Sequence, residues 1–360
     1  MVSDKERFDL SGPSHLIDHV DWNNVNHQRS VAACSVQGVK ILERDRQENR
    51  RGPEALASRW WEFFGFRLHA PLIDDDDHSI FGAIYEFTSP SYDNHLTMNG
   101  TPRYIIAFRG TLNKGPAFLG SLTMGRPCTW LRDSEVNLHI MKSTLHQTSR
   151  FEIAMQSVRN IAVAAFRNSN IWLTGHSQGA AIAMLAGKTM VKEGIFLEAF
   201  LFNPPVVSAH IGEIKNEKVQ QAVRTTKSVV VAAVRTVARK AHHQQTDVSE
   251  DPFVALSGWV PRLYVHPGDH ICSEYVKYFE HRELMEKIGL GCVEKVASQH
   301  SLRVIVGSAM GKESEEPLHL IPSAELIVNL TPANAFKAHG LRQWWRSDMQ
   351  LQPKVYKYIN

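Results

Sequence analysis

The apolar run Ile171-Trp172-Leu173-Thr174 leads straight into Gly175-His176-Ser177-Gln178-Gly179 and then into Ala180-Ala181-Ile182-Ala183-Met184-Leu185-Ala186. An apolar strand, a turn with glycine on either side of a serine, and a helix of small side chains form a unit whose local geometry is narrowly set. Gly175 and Gly179 leave room for the strained backbone that lifts Ser177 off a sheet, and the small residues after it permit close helix-to-sheet packing. A helix starting at Gln178 aims its free N–H groups and positive dipole end at the space beside Ser177. A serine hydroxyl is a poor nucleophile at neutral pH, and this arrangement presents one to a base with neighbouring side chains held aside. The stretch reads as a nucleophile elbow.

Bulk properties allow that reading and exclude others. A chain of 360 residues with 43% hydrophobic content can bury a large core, and a formal net charge of +3 is small for this length. No Lys/Arg run is interleaved with aromatics, so nucleic acid is not an expected partner. Met1-Val2-Ser3-Asp4-Lys5-Glu6-Arg7 is charged where a secretory leader needs an apolar stretch, and Val2 cannot be myristoylated as Gly can. No apolar run approaches the roughly 20 residues that span a bilayer. These signs predict a cytoplasmic protein. Cys34, Cys128, Cys272 and Cys292 are scattered without C-x-x-C spacing, which points to buried reduced thiols. Although there are 18 histidines, none falls at H-x-x-x-H spacing beside a Glu. Neither a metal nor a cofactor is expected.

Strand and helix signals alternate through most of the chain. Residues 29–46 and 54–64 predict helices, with Pro53 in a first turn and Gly65 as a stop. Residues 80–87 and 103–108 read as strands. In the run Asp74-Asp75-Asp76-Asp77 the alternating spacing, Gly and distal Glu of an EF-hand are missing, so a solvated turn is expected rather than a calcium loop. Residues 149–166 carry apolar side chains at three- and four-residue spacing, an amphipathic helix leading into the elbow strand. Further strands are predicted at 197–202 and 262–266. The alternation implies a largely parallel central sheet with helices on both faces. Residues 206–260 exceed what the alternation needs. Within them, residues 211–241 are helical in composition and basic, through Lys215, Lys218, Arg224, Lys227, Arg235, Arg239 and Lys240. This segment reads either as a lid or interfacial helix that meets a membrane or lipid surface, or, more simply, as an insertion packed on the domain with a solvated basic face.

A serine nucleophile needs a base, and the base needs an orienting acid. The acid should follow a later parallel strand at the same edge as the elbow. Asp269 does, after Leu263-Tyr264-Val265-His266 and a Pro267-Gly268 turn, whereas Asp247 and Asp251 have no strand before them. Candidate bases beyond it are His270, His281, His300, His319 and His339. His270 is adjacent to the acid and would point elsewhere. His339 lies after the strands at a loop or helix start and is the preferred base, with His319 and then His300 as alternatives. For the oxyanion hole, one backbone N–H is expected from Gln178, and a second from Thr111, where Phe108-Arg109-Gly110-Thr111 leaves its strand through a glycine.

Three blocks carry a family resemblance: Ala107-Phe108-Arg109-Gly110-Thr111, Thr174-Gly175-His176-Ser177-Gln178-Gly179-Ala180 and Ala199-Phe200-Leu201-Phe202-Asn203-Pro204-Pro205. In that order they resemble the signature blocks of the class 3, fungal-lipase-like α/β hydrolases. The chain as a whole resembles a plant branch of that group, often labelled GDSL esterase/lipase-like. The resemblance runs from about residue 80 to 345, and residues 1–65 match the plant branch alone. It implies an α/β-hydrolase fold in one domain over 1–360, with 1–65 as an N-terminal helical extension and 206–260 as an insertion before the last strands. It further implies a Ser177–Asp269–His339 triad acting on carboxylic esters or lipids. The chain departs from the usual class 3 pattern at Gln178, commonly Leu, and at Gly179-Ala180, commonly Gly-Gly. No Gly-Asp-Ser-Leu block stands near its N-terminus. The resulting expectation is a serine esterase or acylglycerol lipase working through an acyl-enzyme on a lipid or small ester. A catalytically silent hydrolase fold used as an interaction or ligand-binding module, and a thioesterase or acyltransferase with the same triad, are the alternatives. The residues leave oligomeric state open.

Overall fold

Apolar side chains on consecutive residues of a strand point to opposite faces of its sheet, so a central strand without polar alternation needs cover on both sides. The computed structural model describes residues 3–16, 20–88, 100–112, 148–165, 170–206, 255–287 and 321–358. In it eight strands form one sheet in sequence order: β1 (Phe66–Ile73), β2 (Ile80–Phe87), β3 (Tyr104–Phe108), β4 (Ile171–His176), β5 (Glu198–Phe202), β6 (Arg262–Val265), β7 (Ala324–Asn329) and β8 (Leu351–Tyr356). The ladders from β3 through β7 are parallel. Those joining β1, β2 and β3, and that joining β7 and β8, are antiparallel. This is an α/β-hydrolase-type fold with a mostly parallel sheet.

The helices are α1 (Phe8–Ser11), α2 (Val25–Gln47), α3 (Arg59–Glu62), α4 (Ser149–Ala164), α5 (Gln178–Lys192), α6 (Glu274–Lys287) and α7 (Ala335–Ala338). They divide between the two faces. Ile106 and Phe108 of β3, Leu173 of β4, Leu201 of β5 and Leu263 of β6 join a core with α4, α5 and α6. Their neighbours Ile105, Ala107, Trp172, Phe200 and Tyr264 join a second core with α2, Trp60, Trp61, Leu341, Trp344 and Trp345. Crossovers between strands laid side by side in sequence order share one hand, so their helices land on one face. The other face therefore draws its cover from outside the alternation, from the N-terminal α2 and the C-terminal 3-10 turn Leu341–Trp345. Helix α2 is well anchored there. The Asn24 side chain caps it by accepting from Asn26 N at 2.9 Å, and Thr174 Oγ1 on β4 donates to the Ala32 carbonyl at 3.3 Å.

Two expectations need correction, and one strand was not foreseen. The helix predicted over 54–64 is reduced to α3, after a 3-10 turn at Gly52–Glu54. Trp60 and Trp61 are both buried, Trp60 against Phe8 and Trp345 and Trp61 against Tyr85 of β2, so partners on several sides hold the segment. The edge strand β1, unmarked in the sequence reading, follows at once through Gly65 at φ +80°. The acidic run is only partly solvated. Asp74 is buried, its Oδ1 accepts from Asp76 N at 3.1 Å and Ser149 Oγ at 2.8 Å, and its Oδ2 pairs with Arg150. Asp77 Oδ2 takes the same guanidinium at 3.0 Å. The run thus fastens the first turn of α4 to the β1–β2 turn. Of the expected insertion, residues 207–254 lie outside the described residues, as do Cys128 and Cys292. Cys34 and Cys272 are buried free thiols. Among the described residues no group of His, Cys, Asp or Glu could hold a metal ion, and no helix is long and apolar enough to cross a membrane.

Candidate active site

Ser177 stands between β4 and α5 at φ 54° and ψ −122°, a conformation that non-glycine residues rarely adopt. Its own N–H donates to the Phe202 carbonyl at 2.9 Å, and its carbonyl accepts from Ala180 N at 2.9 Å as the helix begins. The flanking glycines are required by contact. A Cβ on Gly175 would lie 2.3 Å from the Gly179 carbonyl oxygen, and one on Gly179 would lie 2.2 Å from that of Phe108. The turn is therefore pressed against its own helix and against the end of β3.

Asp269 follows β6 on a turn shaped by His266. Gly268 N donates to His266 Nδ1 at 2.9 Å, and His266 Nε2 donates to the Thr331 carbonyl at 2.9 Å. The buried Asp269 carboxylate accepts at Oδ2 from His339 Nδ1 at 2.9 Å, from Asn203 Nδ2 at 2.7 Å and from the Cys272 thiol at 3.2 Å. Oδ1 accepts from Ile271 N at 3.1 Å. Burial alone raises this carboxyl's pKa. The His339, Asn203 and Cys272 hydrogen bonds outweigh it and hold the group below the ordinary carboxylate range. The same burial, with Asp269 beside it, pushes the Cys272 thiol well up, so the sulfur stays protonated and donates.

His339 caps α7 at its C-terminal end. Because a carboxylate only accepts, its Nδ1 carries the proton and Nε2 is left as the basic nitrogen. The ring lies against the elbow, 4.9 Å between centroids from His176. Among the described residues no hydrogen bond joins Ser177 Oγ to His339, and catalytic contacts in unliganded sites commonly close only with substrate bound. Thr111 and Gln178 also meet. Thr111 Oγ1 donates to Gln178 Oε1 at 3.0 Å across the gap between the β3 loop and the start of α5. Gly110 makes that approach close, since a Cβ there would stand 3.0 Å from the His176 carbonyl oxygen and 3.2 Å from Ser177 Cβ. Of the other candidate bases, His270 and His281 are exposed, and His300 and His319 lie outside the described residues.

Two residues that sequence reasoning left without a role stand in the centre of this arrangement. His176 Nε2 donates to the His339 carbonyl at 2.7 Å. Desolvation, and then the neighbouring His339, push the His176 pKa down to about 3, so it is a neutral donor. Asn203, fully buried just past β5, contacts both the acid and the segment that carries His339. Its signal was present as a polar residue at the carboxyl edge of a buried parallel strand, ahead of Pro204-Pro205, a place where side chains of such sheets act on ligands or on one another.

The family model described as Lipase (class 3) matches residues 105–238. Over 368 aligned positions the chain is 49% identical to a protein of Arabidopsis thaliana named GDSL esterase/lipase, covering 99% of each. The chain belongs to the plant class 3-lipase-like α/β hydrolases. A crystal structure of a lipase from Rhizopus microsporus var. chinensis aligns over 70% of this hydrolase and 69% of its own chain, at 14% identity and a TM-score of 0.31. This class 3 hydrolase is a carboxylic-ester hydrolase, and the carboxyl edge of its parallel strands gathers Ser177, Asn203 and Asp269 from the ends of β4, β5 and β6.

Proposed function

We propose that the enzyme cleaves carboxylic esters through a Ser177–His339–Asp269 triad and an acyl-enzyme. The observation that carries this reading is the 2.9 Å contact of His339 Nδ1 with the buried Asp269 Oδ2, across 70 residues of chain, beside a serine in a strained elbow. His339 Nε2 takes the Ser177 proton as Oγ attacks the ester carbonyl, and Asp269 stabilises the imidazolium that forms. The imidazolium then protonates the leaving alcohol. Water enters with His339 again as base, attacks the acyl-serine carbonyl, and releases the carboxylic acid and free Ser177. Backbone N–H groups of Thr111 and Gln178 hold the tetrahedral oxyanion, each worth about 3 kcal/mol in sites of this kind. The Thr111–Gln178 side-chain contact fixes the spacing of the two donors.

The substrate is a lipid or small ester, as the esterase/lipase relatives suggest. A fluorophosphonate probe should label the wild-type protein, and Ser177→Ala should abolish labelling while leaving the thermal transition within a few degrees. Labelling that persists in Ser177→Ala would sink the assignment of the nucleophile. Binding of an ester without turnover by a folded wild-type protein would favour a silent ligand-binding fold. Transfer to alcohols that outpaces hydrolysis would favour an acyltransferase.

A further inference from the structure

Asn203 uses its side-chain amide oxygen and both of its amide N–H protons within the site. Its backbone N–H donates to the Tyr264 carbonyl at 2.8 Å, tying the end of β5 to β6. The backbone sits at φ 48°, in the left-handed region where Asn is the best tolerated residue after Gly. That conformation turns the side chain back across the edge of the sheet. Nδ2 donates one proton to Asp269 Oδ2 at 2.7 Å and the other to the Ala338 carbonyl at 3.0 Å. Oδ1 accepts from Trp344 Nε1 at 2.6 Å. Reversing the amide would set its oxygen against the carboxylate and its NH₂ against the indole N–H, so one orientation is chemically allowed.

The Ala338 carbonyl is one of three in succession that side chains hold. The His339 carbonyl accepts from His176 Nε2 at 2.7 Å, and the Gly340 carbonyl accepts from Gln343 Nε2 at 3.1 Å. Gln343 is itself oriented by Asn329 Nδ2 on β7, which donates to its Oε1 at 3.0 Å. Side chains at the edges of β4 and β5 thus hold the backbone on either side of His339, and Asn203 holds the acid as well.

We propose that Asn203 is the positioning residue of this esterase, whose single amide sets the distance and angle between Asp269 and His339 by holding the acid's oxygen and the base's backbone at once. The inference rests on the triad reading given above. A loop-borne histidine has rotational and translational freedom that its hydrogen bond to Asp269 cannot remove alone, and an error of about 1 Å at such a site costs on the order of 100-fold in rate.

The test compares the full-length wild type with Asn203→Ala, Asn203→Asp and Trp344→Phe on p-nitrophenyl butyrate. Asn203→Ala should lower kcat about 100-fold with KM changed less than threefold. Asn203→Asp keeps the shape but sets a second carboxyl against Asp269. The two buried carboxyls would share one proton, whose titration is coupled to that of His339, so the acid limb of the kcat/KM profile should be displaced by about one pH unit. A residue that merely packed the core would lower the melting temperature and leave that limb in place. If Asn203→Ala does not fold, Trp344→Phe decides: it removes the N–H that fixes Oδ1 together with part of a buried ring, so the lost packing is read as a lower melting temperature and the freed amide as a kcat reduced about tenfold. Wild-type kcat and an unmoved pH profile in the folded variants would overturn the proposal. Fluorophosphonate labelling of Ser177 in those same variants separates this failure from a failure of the triad, which would show as labelling that does not depend on Ser177.

Discussion

Gly179→Ala tests whether the elbow's contact with β3 sets catalysis. A Cβ at residue 179 would lie 2.2 Å from the Phe108 carbonyl oxygen, 2.5 Å from its carbon and 2.6 Å from the Arg109 oxygen. Ordinary heavy-atom contacts of this kind sit at about 3.5 Å, so the start of α5 and the end of β3 must part by about 1 Å. No rotamer relieves the clash, because all three atoms are backbone and Phe108 is the ladder partner of Gly175 on β4. The same displacement carries Ser177 away from the loop at Gly110 and Thr111. Overpacking of this size costs about 1–3 kcal/mol of stability, and a shift of about 1 Å between nucleophile and oxyanion donors costs about 100-fold in rate. Gly194→Ala is the matched control: its φ is +79° and nothing lies within 4 Å of the added Cβ, so it should show only a backbone strain of about 1–2 kcal/mol. Steady-state hydrolysis of a p-nitrophenyl ester, with urea unfolding of each variant, separates the two effects. A folded Gly179→Ala within threefold of wild-type kcat/KM would refute the argument that this contact positions the serine.

Two further outcomes follow from the buried site. Asp269→Asn should keep the fold and lower kcat about 10³- to 10⁴-fold, because the amide no longer favours the Nδ1–H tautomer of His339. Asp269 binds its proton less readily in the native state than in the unfolded chain, so its contribution is present above about pH 4 and lost as pH falls through its lower native value. Urea titrations from pH 6 to pH 3 should therefore show a shallower loss of stability in Asp269→Asn than in wild type. His176 works in a higher window. Its native pKa of about 3 lies below the ordinary 6.5, so between those values the unfolded chain takes up a proton that the native protein refuses. Stability should be full above about 6.5 and fall toward pH 3 at up to about 1.4 kcal/mol per pH unit from this group. His176→Gln, which can still donate to the His339 carbonyl, should flatten that slope. An unchanged slope would mean that His176 is solvated.

The residues of this chain advertise some contacts and conceal others. The elbow was legible because its requirements are local: two glycines, a strand before and a helix after, all within one turn. Strands β2 to β6 were legible because short apolar runs bounded by Gly, Pro and Asn have few other uses, and Asp269 could be sought at the edge those strands define. By contrast β1 escaped notice, since Arg67, His69 and Pro71 interrupt its apolar residues and its pairing partner lies beyond the Asp74–Asp77 turn. The helix expected over 54–64 failed for a related reason. Its aromatic residues answer to α2, to Phe8, to Tyr85 on β2 and to Trp345, distant partners that no local periodicity reports. Asn203 stood in plain view within Phe202-Asn203-Pro204-Pro205 and carried no mark of what it holds.

From the order of its residues alone this chain determines a strand–turn–helix elbow at Ser177, a parallel run of strands around it, and the edge of the sheet where Asp269 lies. Those features depend on neighbours within a few residues. Tertiary structure decides what covers the second face, where α2 and Trp344 pack from opposite ends of the chain, and which groups meet at the acid. Asn203, Cys272 and His339 converge on the Asp269 carboxylate from separate strand ends and loops. Burial then makes each of those hydrogen bonds obligatory, because a polar group left unpaired there would cost about 1–3 kcal/mol.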